Sequence, residues 1–574
     1  MTRSCAFWNV TKPALRILRF NELERMYNEI KPAGKGQAFF QAMVERLRVD
    51  LQIDEAELAR IPSRGPVVVV ANHPFGILEG AAILSRLLQI RPDVKALTNS
   101  ILTAVPEAAD HFIPVDVFSG KAAVQQNQRG LRQSLEWLKQ GGVLLVFPAG
   151  EVSHLQLNRF SITDPEWSTM IARLIRRTGA TAVPVYVRGA NSLLFQIVGL
   201  LHPKLRTALL PHEYLNKENT RVEIRVGAPV SPSRMAAITS DEKLTRYLRW
   251  RTYLLEHRQR AGRGPTPLRH DPTPRVTHPS IRLEVEALPP SRCLVEQGDT
   301  RVYIATAREM PRVLEEIGEL RELTFRAAGE GTGKTRDLDA FDFNYLHLFS
   351  WNTKRQEVIG AYRLGQTDEI LRRQGIQGLY TSTLFRYGKD FLLEIHPALE
   401  LGRSFIRAEY QKSFSALLLL WKGIGRFVVE HPRYRVLFGP VSISNDYHPL
   451  SRKFIVDYLE HNLRDERLSR LVKPRRPFRP FLVPAGVNWS VDLEELSDII
   501  GDLEQDGKGV PVLLRQYLKL GGRLLSFNVD PKFSRCLDGL ILVDLARTER
   551  AILNRYMTPE GAASFLRFHR ELVA

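Results

Sequence analysis

His73 and Glu79, six positions apart, are the first residues in the chain whose types and spacing suit acid–base work. In the run PVVVVANHPFGILEG, Asn72 and His73 come directly off an apolar, strand-like segment, and Pro74 and Gly76 force a turn before Glu79. A carboxylate so placed can hold one ring nitrogen while the other takes a proton. The second half crowds Asp337, Asp339 and Asp342 ahead of His347, after a helical pattern that ends on Arg321 and Phe325. Arg363 closes VIGAYR, and Glu400 and Arg403 stand in ELGRSF. Carboxylates this dense form either a solvated loop or a site that binds an amine and takes its proton. Strand alternation sends Glu400 and Arg403 to opposite faces, so they share a site only across a bulge or at a strand's end.

The elements that position these residues alternate in type. In the first half, residues 66–71 (PVVVVA), 142–147 (GVLLVF) and 182–187 (AVPVYV) read as buried strands, and residues 80–90 and 122–140 have helical spacing. Strands interleaved with helices predict an α/β layered domain. In the second half, residues 302–307, 357–364, 378–384, 391–395 and 434–444 read as strands, and 309–325 and 411–429 as helices. Strands outnumber crossover helices there, which predicts a mixed, partly antiparallel sheet. Residues 257–280 alternate Pro and Arg with Thr and His and read as a basic linker, giving domains at 1–256 and 281–574. Residues 470–480 (RLVKPRRPFRP) read as a loop.

With 574 residues, 44% of them hydrophobic and 25% charged, the composition excludes a disordered, collagenous or polytopic membrane chain. The formal charge of +18 calls for an anionic partner. Basic residues are not interleaved with aromatics in a nucleic-acid-binding pattern, so the expected partner is an anionic membrane surface or an acidic protein, with no nucleic acid. Cys5, Cys293 and Cys536 are too few and too dispersed for a disulfide framework or zinc ribbon, and fit a reducing cytoplasm. No metal motif appears among the 14 histidines, no cofactor is expected, and GEGTGK lacks the spacing of a nucleotide loop. The apolar runs are too short to span a bilayer. Residues 413–421 read as core, and 192–202, followed by Lys204 and Arg206, suit an interfacial segment.

Four blocks of the first half, ANHPFGILEG, HFIPVD (111–116), FPAGEVS (147–153) and VPV (183–185), resemble in order and spacing the lysophospholipid/glycerolipid acyltransferases. The resemblance implies an α/β fold with His73 as general base, Glu79 as its orienter, and Asn72, Asp116, Phe147, Pro148, Gly150 and Glu151 lining the substrate site. Here the acid is one position later than in the family and is Glu rather than Asp. The second and third blocks lack the family's phosphate-binding arginines, which argues for a phosphorus-free acceptor.

From about Arg282 onward, the order of VIGAYR, ELGRSF and FGPVSIS (438–444) resembles GNAT-type N-acyltransferases of the branch holding acyl-homoserine lactone synthases and ornithine N-acyltransferases. It implies Glu400 and Arg403 as catalytic, and Arg321, Phe325, Asp337, Asp339, Asp342 and Arg363 as substrate-binding. The chain lacks the glycine spacing that cradles coenzyme A, so acyl carrier protein is the expected donor. Both halves together resemble the bifunctional ornithine lipid synthases of bacteria. That implies N-acylation of an amino acid by a 3-hydroxyacyl thioester, then O-acylation of the lyso-aminolipid's hydroxyl, at the inner face of the cell membrane. The alternatives are a lysophospholipid acyltransferase with a non-catalytic second domain, or a haemolysin-like membrane-binding protein.

Overall fold

A computed structural model describes residues 19–116, 121–157, 161–201, 203–258, 279–411, 413–479 and 492–571. The chain divides after Arg258 into two compact units. Most of the predicted linker, residues 259–278, lies outside the described residues, as does Cys5.

The first unit is built on a seven-stranded sheet of β1 (Asp50–Gln52), β2 (Val67–Ala71), β3 (Val94–Asn99), β4 (Phe112–Val115), β5 (Val143–Val146), β8 (Thr181–Arg188) and β9 (Arg221–Val226). The spatial order is β1-β9-β8-β2-β5-β3-β4, and every pair is parallel except β8–β9. Its central strands are buried on both faces, which is why they read as unbroken β-branched runs. Helices Leu78–Ile90 and Lys121–Lys139 connect them, as their periodicity predicts. Parallel pairing puts the C-terminal ends of β2, β5, β3 and β4 along one edge, where open α/β sheets bind ligands. A short hairpin of β6 (His154–Gln156) and β7 (Ser161–Thr163) follows β5.

The second unit carries an eight-stranded sheet: β10 (Cys293–Gln297), β11 (Thr300–Thr306), β12 (Leu346–Asn352), β13 (Glu357–Gln366), β15 (Ala398–Ile406), β16 (Val436–Ile443), β19 (Cys536–Asp544) and β18 (Arg523–Asp530), in that spatial order. Only β15–β16 is parallel. The helix Pro311–Ala327 packs over a core that includes Tyr303, Phe349 and Phe405. The helix Phe414–Glu430 brings Trp421 to stack edge-on against Tyr362 of β13, and Ala416, Leu419, Leu420 and Trp421 of the predicted core run are buried, while Ser413 and Ser415 are exposed.

Two predicted strands are not strands. Residues 378–384 form 3-10 turns, because Tyr345 Oη donates to Gly378 O and accepts from Tyr380 N, wrapping the segment around that ring. Residues 391–395 belong to the helix Lys389–Ile395, with Phe391, Leu392 and Ile395 buried and Leu393 exposed, a helical rather than an alternating pattern. The predicted loop at 470–480 contains β17 (Val472–Pro474), which pairs with β14 (Phe385–Tyr387); backbone hydrogen bonds and the burial of Val472 order it. Pro480 lies outside the described residues.

The pairing of β15 with β16 ends at Glu400 and Phe438, and the strands then part. At the next position a Cβ on Gly439 would lie 2.0 Å from Leu401 O, so only glycine lets the strands run this close before they diverge. Gly439→Ala should lower the urea midpoint of the second unit, by about 1–3 kcal/mol of overpacking at an unchanged m-value. A midpoint equal to wild type would contradict this account.

Candidate active sites

In the first unit Asn72 continues the β2–β8 ladder with its side chain: Nδ2 donates to Val187 O at 2.9 Å and Oδ1 accepts from Val187 N at 2.7 Å. The predicted substrate contact is therefore a buried clamp that fixes where the strand ends. His73 Nδ1 lies 3.0 Å from Glu79 Oε1, as the sequence predicts. That oxygen also accepts from Phe75 N and Gly76 N, both at 2.9 Å. Gly76 (φ +102°) makes the turn, and a Cβ there would lie 2.8 Å from Leu210 Cδ2. Burial pushes the Glu79 carboxyl up, but the His73 charge and these hydrogen bonds outweigh it, and the group sits below its ordinary value. Glu79 is completely enclosed, whereas the His73 side chain keeps 16% exposure. The longer acid thus reaches from one position later, and the pair is an oriented imidazole open on one side.

Phe147, just beyond β5, stacks on the His73 ring at 4.3 Å between centroids. Pro148 O accepts from Ser168 N, and Gly150 (φ +68°) turns the block so that Ser153 N donates to His73 O at 2.7 Å. Glu151 pairs with Arg206 of the helix Pro203–Ala208. The block itself has no arginine, yet the fold delivers one, already matched by a carboxylate. Asp116 ends β4, three strands along the sheet from β2, with its backbone bracketed by Asn127 at 2.7 and 2.9 Å.

In the second unit, the acid-rich strip and the predicted arginines form a closed ring. Arg321 donates Nε to Asp337 Oδ2 at 3.0 Å, and Nη1 and Nη2 to the two oxygens of Asp342 at 3.0 and 3.1 Å. Arg363 Nη1 reaches Asp339 Oδ1 at 2.7 Å and Asp342 Oδ1 at 3.2 Å. Arg403 closes the circuit, 3.3 Å from Asp337 Oδ2 and 3.8 Å from Asp339 Oδ2. Each aspartate bridges two arginines, and three positive charges meet three negative ones.

Asp339 and Asp342 are also a capping box on the 3-10 turn Ala340–Phe343, each side chain receiving a backbone N–H of the turn. Burial raises the Asp342 carboxyl, but Arg321 and Arg363 hold it well below its usual range. With both oxygens taken it is no acceptor for an amine's proton, which corrects that reading of the strip; Asp339, a quarter exposed, is its open edge. Burial brings His347 down to about 4, leaving it neutral, with Nε2 2.8 Å from Asp342 O.

The irregularity expected between Glu400 and Arg403 is present. Register slips between Ala361 and Arg363 opposite them, and Arg403 takes φ +49°, a left-handed conformation costly for a side chain of its size. Arg403 lies 4.9 Å from the rings of both Tyr380 and Phe533, and Phe533 packs edge-on at 5.1 Å against Phe325. Glu400 sits apart from the ring: Tyr345 Oη and Thr381 N occupy its two oxygens. Burial raises its carboxyl above the ordinary value, partly offset by those two donors.

Residues 320–422 match the family model for the acetyltransferase (GNAT) domain, and residues 18–262 one described as acyltransferase. A glycine N(alpha)-acyltransferase of Phocaeicola vulgatus is 37% identical over 247 residues, which are 40% of this chain and 75% of that protein. The chain belongs to the GNAT-type N-acyltransferase family. A second glycine N(alpha)-acyltransferase, from Bacteroides thetaiotaomicron, is 37% identical over 195 residues, 32% of this chain and 57% of that protein. The solved 1-acyl-sn-glycerophosphate (LPA) acyltransferase PlsC of Thermotoga maritima is 17% identical over 42% of this chain and 89% of its own; its TM-score of 0.26 carries no argument.

This acyltransferase therefore joins two acyltransferase domains, and each has polar residues that no local motif announces. Asp164, fully buried, accepts from His73 N at 3.2 Å, Ser153 Oγ at 2.5 Å and Trp167 Nε1 at 2.9 Å, and so pins the backbone of the histidine. Its only sequence signal is a carboxylate near a tryptophan. In the second unit, Asp342→Asn should cost about 3–5 kcal/mol in urea unfolding, because it leaves Arg321 and Arg363 buried and short of charge. Because its folded pKa is depressed, the aspartate's contribution is present above the unfolded value of about 3.9 and is lost only as pH falls toward the lower folded value. The wild-type–mutant difference should therefore persist at pH 5; a gap already closed there would contradict the ring.

Proposed function

We propose that this chain makes a phosphorus-free, amino-acid-containing membrane lipid by two successive acyl transfers. The second unit joins a 3-hydroxyacyl group, delivered as a thioester on acyl carrier protein, to the α-amine of an amino acid, with ornithine as the acceptor. The first unit then esterifies the 3-hydroxyl of that lyso-lipid. His73 takes the hydroxyl proton, the oxygen attacks the second thioester carbonyl, the C–S bond breaks, and the thiolate leaves with the proton that His73 returns. Glu79 holds the imidazole and stabilises its charged form.

The observation that carries the reading is the oriented, one-sided His73–Glu79 pair in the same chain as an N-acyltransferase domain. The arginine nearest its third block, Arg206, is already neutralised by Glu151, which favours an acceptor without phosphate. The relatives named for glycine favour an amino acid as the first acceptor.

Among the described residues no helix is long and apolar enough to cross a membrane. The helix Leu193–Leu201 exposes Leu193, Leu194, Ile197 and Leu200, while Phe195 packs inward on Val152, next to the site. That face supports a peripheral seat on the inner membrane surface.

Lipids extracted from cells expressing the chain should contain a new amine-positive, phosphorus-free lipid. His73→Ala should stop its second acylation by about 10²–10⁴-fold, so the monoacylated form accumulates. Normal amounts of the diacylated lipid in that variant would remove His73 from the mechanism. The protein should also pellet with anionic vesicles at low salt and leave them near 1 M, where the Debye length is about 3 Å. Equal pelleting with neutral vesicles would mean that apolar insertion, not charge, holds it.

A further inference from the structure

The acyl-transfer chemistry above leaves unused a second group of buried carboxyls, on the β16–β19–β18 side of the parting strands. Ser442 of β16 donates to Glu330 Oε2 at 2.7 Å. Ser442 is paired directly with Asp538 of β19, and Asp530 of β18 with Cys536, two residues from Asp538. Direct pairing and two-residue alternation put Ser442, Asp538, Cys536 and Asp530 on one face of the sheet. Cys536 shares its core with Phe325, Phe405 and Phe533, so that face is the one carrying Arg403. Glu330, Asp530 and Asp538 are each at least nine-tenths buried.

Three features distinguish this group from a structural network. Asp538 Oδ2 is buried and has no hydrogen-bond partner among the described residues. A buried acceptor left unsatisfied is costly unless something arrives to fill it. Charge is also unbalanced: Asp530, Asp538 and Glu330 face one another and Arg403, with Asp446 beside them at an exposed rim. Finally, Gly329 takes φ +72°, which favours glycine, and lies against Asp446, whose exposed carboxylate is close enough to Glu330 to raise it. The carboxyls do not form a metal-ligand set among the described residues. Buried carboxyls held towards their neutral forms by burial and by one another, beside the arginine that borders the strand opening, suit an organic ammonium, whose arrival favours their charged forms.

We propose that Glu330 is the base that takes the proton from the acceptor's ammonium, with Asp538 holding that cation in place. This rests on the second unit performing N-acyl transfer. An amino acid arrives as R–NH3+, and the Glu330 carboxylate takes one proton to become a carboxylic acid. The freed lone pair attacks the thioester carbonyl, the C–N bond forms, the C–S bond breaks, and the departing thiolate takes the second nitrogen proton. Glu330 then returns its proton to solvent. Glu400, whose two oxygens are occupied, positions Tyr345 and the turn at Thr381 instead.

The groups facing Glu330 set its titration. Burial pushes it up to about 7, Ser442 and Arg403 pull it down, and Asp446 raises it again. Tyr447 and Asp538 are near enough to respond to its charge, and Asp538 is held well above its ordinary range by burial and by Asp530 and Glu330. A base whose pKa lies near the working pH transfers protons most effectively.

The test is kcat/KM for thiol release by the full chain, with a 3-hydroxyacyl carrier-protein donor and several amino acids, as a function of pH. Wild type should rise through about pH 7 as Glu330 ionises, at the same pH for every acceptor. E330Q should lose that limb and about 10²–10⁴-fold in rate, and E330D should restore part of both. D538N should raise KM for the acceptor more than it lowers kcat. Hydroxylamine, which arrives uncharged, should be acylated by E330Q nearly as fast as by wild type. A wild-type profile flat through neutrality, or E330Q with wild-type rate and limb, overturns the assignment. Wild type that releases thiol with no amino acid at all overturns the N-acyl reading instead, a distinct result.

Discussion

The second unit depends on one electrostatic circuit, in which Asp337, Asp339 and Asp342 each bridge two of Arg321, Arg363 and Arg403. Burying one ion pair is close to neutral in free energy, because desolvation cancels most of the attraction. A closed circuit changes that balance, since every charge has two partners and little is left unsatisfied. The arginines come from a helix and two strands, β13 and β15, so the circuit also sets the distance between the helix Pro311–Ala327 and the sheet. It supplies the restraint that keeps Arg403 at a positive φ, and that conformation is what bulges β15 where it leaves β16.

The same circuit explains why two acids that look catalytic are not equivalent. Asp342 is locked at the centre, a cap and a counter-ion at once. Carboxyls with room to act lie elsewhere, beside Arg403, a cation they share with the ring. Arg403 therefore belongs to both systems, and the opening between the strands lies beside it.

Much of this was legible in the sequence where the signal is local. His73 and Glu79 are separated by one turn at the end of a strand, so their meeting follows from a few backbone angles. The bulge between Glu400 and Arg403 follows from alternation joined to the expectation that both residues serve one site. Asp339-x-x-Asp342 was equally local but ambiguous, since the spacing that suits an amine site is also that of a capping box, and only the partners delivered by Arg321 and Arg363 decide between them. Asp164, Arg206, Glu330 and Asp538 were not legible, because each acquires its surroundings from segments tens of residues away or more. The segments at 378–384 and 391–395 were misread for a related reason: their side chains suit strands, but Tyr345 claims the first and an i, i+4 apolar face governs the second.

Asp164, which holds the backbone of His73, is itself held from the far end of the first unit: its N–H donates to Tyr253 Oη at 2.9 Å and its carbonyl accepts from Arg249 Nη2 at 3.0 Å. All four acyltransferase-like blocks lie before residue 190, yet the support of the His73 turn is not complete until the chain has run through the helix Asp241–Leu254. During synthesis Asp164 therefore lacks these two partners until the helix Asp241–Leu254 has emerged. A gene split anywhere between the fourth block and that helix would yield a piece with every recognisable motif but without the two hydrogen bonds that hold Asp164 from behind.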